Sequence, residues 1–327
     1  MILITGGAGY IGSHVNKLLN KEGYETLVLD NLSKGHEESV KWGEFVNCDL
    51  GDVDALKEVF DTHDIEGVMH FAAFSSVAES VEDPEKYFKN NFENTLNLIH
   101  VMKEHRVFKI IFSSTAAVYG IPEELPITES SFLKPINPYG ESKIMVENFL
   151  SDEAEFTPLK YVSLRYFNAA GADFDCEIGE NHNPESHLIP LVLDAALGIR
   201  ESISIFGDDY DTDDGTCVRD YIHVNDLANA HLKAYQYLEK DGSHSDIFNL
   251  GNGTGYSVKE VIDVCKKVTG VDFEVKTEGR REGDPDFLIA NADKAEKVLN
   301  WTPKYDLTKI VESAWAWHKK LKGKDED

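Results

Sequence analysis

The sequence has few cysteines and no long apolar runs, and each shortage excludes a class of protein. Its four cysteines, Cys48, Cys176, Cys217 and Cys265, are scattered over 327 residues with no CxxC pair. This spacing argues against a zinc ribbon or a disulfide-stapled secreted domain and favours a reducing cytoplasm. No run approaches about 18 apolar residues, so no transmembrane helix is expected. Strand-like residues already begin at position 2, so no signal peptide is expected either.

Basic residues are scarce as well. Lys and Arg number 32 against 59 Asp and Glu, which gives a net charge of −27. Such a surface repels nucleic acid and anionic membranes, so neither is expected as a partner. We interpret the acidity as a solubility feature, compatible with a salty cytoplasm. The mean hydropathy of −0.34 is that of a globular chain, and the length allows one large domain or two modest ones.

The first half of the chain alternates apolar runs with amphipathic stretches. The runs occupy residues 2–5, 26–29, 44–47, 67–71, 109–113 and 161–165, and the stretches include 11–22, 53–63 and 87–105. This alternation predicts an α/β fold, a doubly wound parallel (Rossmann) sheet covered on both faces. After about residue 170 the pattern becomes irregular. We therefore predict a domain over residues 1–170 and a smaller mixed α/β region over 171–327, with some segments returning to the first domain.

A glycine-rich turn follows the first predicted strand. Gly6, Gly9 and Gly12 form G-x-x-G-x-x-G, which permits a tight turn, close approach of backbone to a pyrophosphate and an open helix N-terminus. Asp30 ends the second apolar run, where its carboxylate would bond ribose hydroxyls and repel a 2′-phosphate. The pattern predicts NAD rather than NADP. Asp49 ends the third run, where it could meet the adenine.

A tyrosine and a lysine four residues apart form the candidate catalytic pair. Tyr139 and Lys143 stand as Y-x-x-x-K, which places both on one helix face. A lysine ammonium, together with a positive nicotinamide, would lower the pKa of the tyrosine and allow it to act as a general base. Thr115 ends an apolar strand at the edge where α/β sheets place ligands, and its hydroxyl could hold the reacting oxygen.

These motifs together carry a family resemblance. The segments TGGAGYIGSH, FSSTAAVYG, PYGESK, RYFNAAGA, IFGDDYDTDDGT and RREGD occur in order. The chain resembles the extended short-chain dehydrogenase/reductase family over nearly its whole length. The last two segments are narrower and resemble the sugar-nucleotide epimerases.

The resemblance implies a bound NAD and a UDP-sugar substrate. The implied reaction passes the 4-OH proton to Tyr139 and the C4 hydride to NAD, turns the 4-keto sugar over and reduces its opposite face, so UDP-glucose and UDP-galactose interconvert. The implied cofactor residues are Gly6, Gly9, Tyr10, Ile11, Gly12, Asp30, Asn31, Asp49, Leu50, Phe71, Ala72, Ala73, Ser75, Asn90, Tyr139, Lys143 and Phe167. Ser75 departs from some relatives, which carry a lysine there.

The implied substrate residues lie mostly in the second region. They are Thr115, Asn168, His187, Leu188, Phe206, Arg219, Arg281, Asp284 and Leu288. Asn168, His187 and the two arginines would contact the diphosphate, Phe206 the uracil face and Asp284 the ribose. Leu288 would gate the pocket near C2 of the sugar. His187 stands where an asparagine is familiar.

No metal is expected. Asp209, Asp211 and Asp213 have a calcium-loop rhythm, but Asp214 occupies the position where a calcium loop needs glycine, and Asp220 stands where it needs glutamate.

Three alternative functions differ from this interpretation. Sugar-nucleotide 4,6-dehydratases carry an acid pair after the strand-end threonine, whereas this chain has Ala116 and Ala117. A 4-epimerase of another UDP-sugar (an N-acetylhexosamine, a pentose or a uronate) stays open. A non-catalytic NAD sensor would not need Tyr139. The apolar excess in segments 87–105 and 139–150 also predicts a homodimer.

Overall fold

The computed structural model describes residues 1–281 and 283–323. Its strands are β1 (Ile2–Thr5), β2 (Thr26–Asp30), β3 (Glu44–Asn47), β4 (Gly67–His70), β5 (Lys109–Thr115), β6 (Lys160–Tyr166), β7 (Asn168–Ala170), β8 (Ser202–Phe206), β9 (Val218–Arg219), β10 (Tyr221–His223), β11 (Asp246–Leu250), β12 (Tyr256–Ser257), β13 (Glu274–Glu278) and β14 (Phe287–Leu288). The first six coincide closely with the apolar runs of the sequence.

The helices follow the amphipathic stretches. They are α1 (Tyr10–Lys21), α2 (Val53–Thr62), α3 (Val77–Glu82), α4 (Pro84–Tyr87), α5 (Asn94–Glu104), α6 (Pro138–Phe156), α7 (Leu188–Ala196), α8 (Val224–Glu239), α9 (Val258–Thr269), α10 (Asp293–Leu299) and α11 (Leu307–Leu321). A π-helical segment, Phe88–Glu93, joins α4 to α5. The amphipathic stretch 87–105 is therefore helical throughout nearly its whole length, with a π-helical start.

The main sheet has seven parallel strands in the order β11-β6-β5-β4-β1-β2-β3. Alternate side chains point to opposite faces of a strand. Ile2 and Ile4 accordingly enter a core under α1 and α8, while Leu3 enters a second core under α2, α5 and α6. The predicted doubly wound sheet is confirmed.

The second half contributes three small sheets and one strand of the large one. β7 pairs with β10, β8 with β13, and β9 lies between β12 and β14. A separate core forms between α7, α9 and α11. Strand β11 returns to the edge of the main sheet beside β6.

No helix within residues 1–281 or 283–323 has both the length and the apolar character needed to cross a membrane. Cys48, Cys217 and Cys265 are free thiols.

Candidate active site

The glycine turn between β1 and α1 is packed so tightly against neighbouring backbone that Gly6 and Gly12 have no room for a side chain. Gly6 has φ +72°, and a Cβ there would lie 2.5 Å from the Ala72 backbone nitrogen. A Cβ on Gly12 would lie 2.5 Å from the Gly6 carbonyl oxygen. Gly9 is the N-cap of α1 and has no side chain with which to cap the helix. The first N–H groups of α1 are therefore open to a phosphate, which the helix dipole also attracts.

Asp30, at the end of β2, is fixed by the same turn. Its Oδ2 accepts from the Ala8 N–H at 3.0 Å and its Oδ1 from the Leu32 N–H at 2.8 Å. Burial raises the pKa of this carboxyl, while the two N–H donors lower it. Nearby, the Asn31 amide donates to Asp49 Oδ2 at 2.6 Å. These carboxylates are oriented acceptors at the end of the sheet where a nucleoside is expected.

Two adjoining cavities collect every predicted cofactor residue. The first, beside β2 and β3, is lined by Asp30, Asn31, Asp49, Leu50, Ala72 and Asn90. The second, beside β5 and β6, is lined by Tyr10, Ile11, Gly12, Ser75, Tyr139, Lys143 and Phe167. The two share Gly6, Gly9, Phe71 and Ala73. The two cavities together form one extended groove that crosses the glycine turn.

The predicted catalytic residues meet in the second cavity. Asn137 caps α6 by accepting from the Gly140 N–H at 2.9 Å, and Pro138 occupies the first turn. This start of α6 sets Tyr139 where it hydrogen-bonds the Thr115 hydroxyl. One turn later, Lys143 Nζ donates to the Ser113 carbonyl at 2.9 Å. The Y-x-x-x-K face of α6 therefore lies against the end of β5.

Burial is the main influence on the pKa of Tyr139 in the protein alone. Burial raises it, and the hydrogen bond from Thr115 opposes that rise. Burial also lowers the pKa of Lys143 to about 7, while Glu147 raises it. The predicted lowering of the tyrosine pKa by Lys143 together with the nicotinamide concerns the protein with NAD bound, and it stays a prediction.

A buried ion pair behind the catalytic pair escaped the sequence analysis. Arg165 Nε lies 3.0 and 3.1 Å from the two carboxylate oxygens of Glu147, and both side chains are 2% exposed. Ser114 donates to Glu147 at 2.5 Å, and Arg165 donates to the Tyr119 hydroxyl at 3.0 Å. The sequence signal that could have pointed to Glu147 is its spacing, because it lies one helical turn after Lys143.

The predicted substrate residues fall into two groups. Asn168, His187 and Leu188 line the cavity of Tyr139 and Thr115. The second group lies on the small sheets: Arg219 donates to the Val218 and Pro285 carbonyls at 2.9 Å, and its guanidinium lies 3.4 Å from Asp284. In that group Arg281 stacks on the Phe206 ring at 3.9 Å from the centroid.

Backbone hydrogen bonds link the two groups of substrate residues. Asn168 N–H donates to the Asp220 carbonyl at 2.9 Å, and Asp220 N–H donates to the Leu288 carbonyl at 3.1 Å. Arg219 precedes Asp220 directly, so the two groups are neighbours. Glu282, in the RREGD segment, lies outside the described residues.

In the segment with calcium-loop spacing, residues 209–220, the carboxylates of Asp209 and Asp220 bond to other groups of the chain. Asp220 accepts from the N–H groups of Asn252, Gly253 and Ala290 at 2.7–3.1 Å. Asp209 pairs with Arg280 at 2.6 Å, so these two carboxylates do not converge on a common point.

Lys34 is a further residue that the sequence analysis missed. It lines both cavities, between the glycine turn and the cofactor-side loops. On a chain with net charge −27, a lysine at this junction is a conspicuous cation. Its position four residues after Asp30 is the signal that could have found it.

Known proteins share this architecture. The model of the NAD-dependent epimerase/dehydratase family matches residues 2–251. The UDP-glucose 4-epimerase of Halalkalibacterium halodurans is 54% identical over 319 residues, covering 97% of this chain and 95% of that protein. The crystal structure of UDP-glucose 4-epimerase from Brucella ovis in complex with NAD has a TM-score of 0.94 at 46% identity, covering 96% of this chain and 97% of that chain. The one from Bifidobacterium longum in complex with NAD+ and UDP has a TM-score of 0.93 at 39% identity, covering 99% of both chains.

Proposed function

The chain belongs to the NAD-dependent epimerase/dehydratase family, and we propose that it is an enzyme that interconverts UDP-glucose and UDP-galactose by inverting C4 of the sugar. The observation that carries the proposal is the meeting of Thr115, Tyr139 and Lys143 in a cavity that continues past Asn168. Residues 1–170 mainly hold the cofactor, and residues 171–327 mainly hold the UDP-sugar.

NAD, when bound, supplies the group that accepts and returns hydride at C4. The fit rests on the cradle at Gly6 and Gly12, where a Cβ would collide with backbone, and on the oriented Asp30 carboxylate. The open N-terminus of α1 receives the pyrophosphate, and Asn31 and Asp49 border the adenosine.

Tyr139 is the proton acceptor for the sugar 4-OH. Thr115 hydrogen-bonds the phenol and holds the reacting oxygen in line with it. Lys143 lies one turn away, and its ammonium, when protonated, favours the phenolate. The same tyrosine returns the proton to the oxygen after the 4-keto sugar has turned over. Because C4 also regains the hydride that it lost, the cycle has no net redox change.

The diphosphate and nucleoside are held by the second substrate group. Arg219 is kept in place by two carbonyls and Asp284, leaving a guanidinium suited to a phosphate. Asn168 and His187 contact the diphosphate from the cavity side. Dehydration is disfavoured because the residues after Thr115 are Ala116 and Ala117, and neither can protonate a leaving hydroxyl.

The test is incubation of purified protein with UDP-galactose or UDP-N-acetylgalactosamine and no added NAD. We expect UDP-galactose to yield UDP-glucose with weaker activity on the N-acetyl sugar, and acid denaturation to release a dinucleotide. Tyr139→Phe is the matched control, since it keeps the ring. Accumulation of NADH from stoichiometric external NAD, or a product other than the C4 epimer, would refute the proposal.

We further propose that the enzyme is a cytoplasmic homodimer. Phe92, Leu96, Met145 and Phe149 remain partly exposed on the π-helical segment, α5 and α6, which pack together. The free thiols of Cys48, Cys217 and Cys265 suit a reducing compartment. Light scattering at micromolar concentration should give twice the 36.7 kDa chain mass, and a monomer would contradict the proposal.

A further inference from the structure

Four metal-ligating side chains converge on one wall of the catalytic cavity. They form the sequence pattern E-x-H-x-x-E-x-H, comprising Glu180, His182, Glu185 and His187, in the segment just before α7. One ligand atom from each lies within 4.8 Å of the other three. Both histidines present Nδ1 to the carboxylates.

Three of the four separations are hydrogen-bond distances, a few tenths of an ångström shorter than the spacing in a coordination shell. His182 Nδ1 lies 3.1 Å from Glu180 and 3.7 Å from Glu185, and His187 Nδ1 lies 2.8 Å and 3.0 Å from the same two carboxylates. Ligand atoms about 2.0–2.2 Å from a tetrahedral zinc ion lie roughly 3.3–3.6 Å apart. Small side-chain shifts would therefore centre an ion among the four.

Charge and burial favour a cation at this point. The side chains of Glu180 and Glu185 are 8% and 15% exposed, so two carboxylates are gathered away from water. Buried carboxylates require compensating positive charge. Within the described residues, their ion pairs are to the two histidines and not to a lysine or arginine.

A neighbouring acidic group shows the contrast. Asp173, Asp175 and Glu177 also converge, but Lys17 Nζ lies among them at 2.7, 3.0 and 2.7 Å. That group already has its cation from the chain. The histidine-containing group offers imidazole nitrogens in addition to oxygens, which is a ligand set suited to late first-row divalent metals.

We propose that Glu180, His182, Glu185 and His187 form a binding site for one divalent transition-metal ion, zinc in preference to calcium or magnesium. The ion ties the loop of residues 180–187 to the start of α7 and so stiffens the cavity wall that carries His187 and Leu188. This site departs from the expectation that the protein holds no metal. It does not depend on the proposed function, because metal binding is measured without substrate.

The test is direct metal analysis of untagged protein. The protein is exposed to Zn2+, passed through a desalting column and measured by mass spectrometry of the metal. We expect about one zinc per chain, the occupancy of a single four-ligand site. Replacing zinc with Co2+ should give the visible absorption bands of a tetrahedral cobalt site with nitrogen and oxygen ligands.

Three variants make the result specific. His182→Ala and, as a nearly isosteric change, Glu185→Gln should each lose the bound metal and the cobalt bands. His244→Ala, which removes a histidine whose side chain is 75% exposed and lies outside the cluster, should retain them. Circular dichroism and dinucleotide content verify that each variant is folded.

The opposite results are equally clear. If the wild type retains no zinc, the two carboxylates are balanced by protonated histidines and the proposal is overturned. Retention of full metal by Glu185→Gln together with His182→Ala would place the metal elsewhere and overturn it as well. Either result leaves the epimerase assay unaffected, so the failure of one proposal is distinguishable from that of the other.

Discussion

The buried pair of Glu147 and Arg165 gives a prediction whose magnitude follows from the structure. The change is Glu147→Gln, which removes the negative charge and keeps the side-chain volume. Arg165 is then left as a cation that is 2% exposed and cannot lose its proton. Removing one partner of a buried pair costs about 3–5 kcal/mol. The equilibrium between folded and unfolded protein should therefore shift by roughly 10²- to 10⁴-fold.

The assay is urea unfolding at neutral pH with saturating NAD, followed by circular dichroism. The double variant Glu147→Gln/Arg165→Met removes both charges, so it should be more stable than Glu147→Gln alone. The control is Glu104→Gln, which breaks the exposed pair with Lys57 at 2.9 Å and should cause no measurable change. If Glu147→Gln unfolds at the wild-type urea concentration, or the double variant is the less stable, then the reasoning from buried charge is refuted.

The same substitution has a catalytic readout. Glu147 raises the pKa of Lys143, so Glu147→Gln should lower it further. Because the phenolate of Tyr139 needs a cationic neighbour, turnover should decline with rising pH at a lower pH in the variant than in the wild type. An unshifted profile would show that Glu147 acts on stability alone.

Four more outcomes are expected. Tyr139→Phe should lower turnover by roughly 10²- to 10⁴-fold, the scale of general acid–base catalysis, with UDP binding kept by calorimetry; wild-type turnover would remove Tyr139 from the mechanism. In nucleotide-free protein the unfolded chain binds the Lys143 proton more tightly than the native one, so stability should rise with pH from about 7 to 10.5, and Lys143→Met should flatten that rise in urea titrations. Gly12→Ala should abolish dinucleotide co-purification, because its Cβ would lie 2.5 Å from the Gly6 carbonyl oxygen; retained NAD would contradict this. Leu288→Ser should narrow a preference of roughly 10- to 200-fold for UDP-galactose over its N-acetyl analogue, chiefly by raising kcat/KM for the latter; an unchanged ratio would place the gate elsewhere.

The sequence by itself determined the sheet and the cofactor end of the site. Apolar runs without alternation favour strands buried on both faces, and the six predicted strands match β1 to β6, of which the edge strand β3 alone is largely unburied. Glycine spacing and strand-end residues are local features. The site residues therefore gather at the carboxyl ends of the parallel strands, as their positions along the chain predict. They are Gly6, Asp30 and Thr115 at the strand ends, with Tyr139 of α6 beside Thr115.

The tertiary structure decided what depends on neighbours distant in the chain. The π-helical geometry of Phe88–Glu93 and the pairing of Arg165 with Glu147 are features that periodicity does not encode. The pKa of Tyr139 is raised by the depth of its burial. The side chains of the E-x-H-x-x-E-x-H segment form a candidate metal site only because the folded loop brings their ligand atoms together. Local geometry follows from the order of residues along the chain, whereas desolvation and charge compensation depend on which segments meet in space.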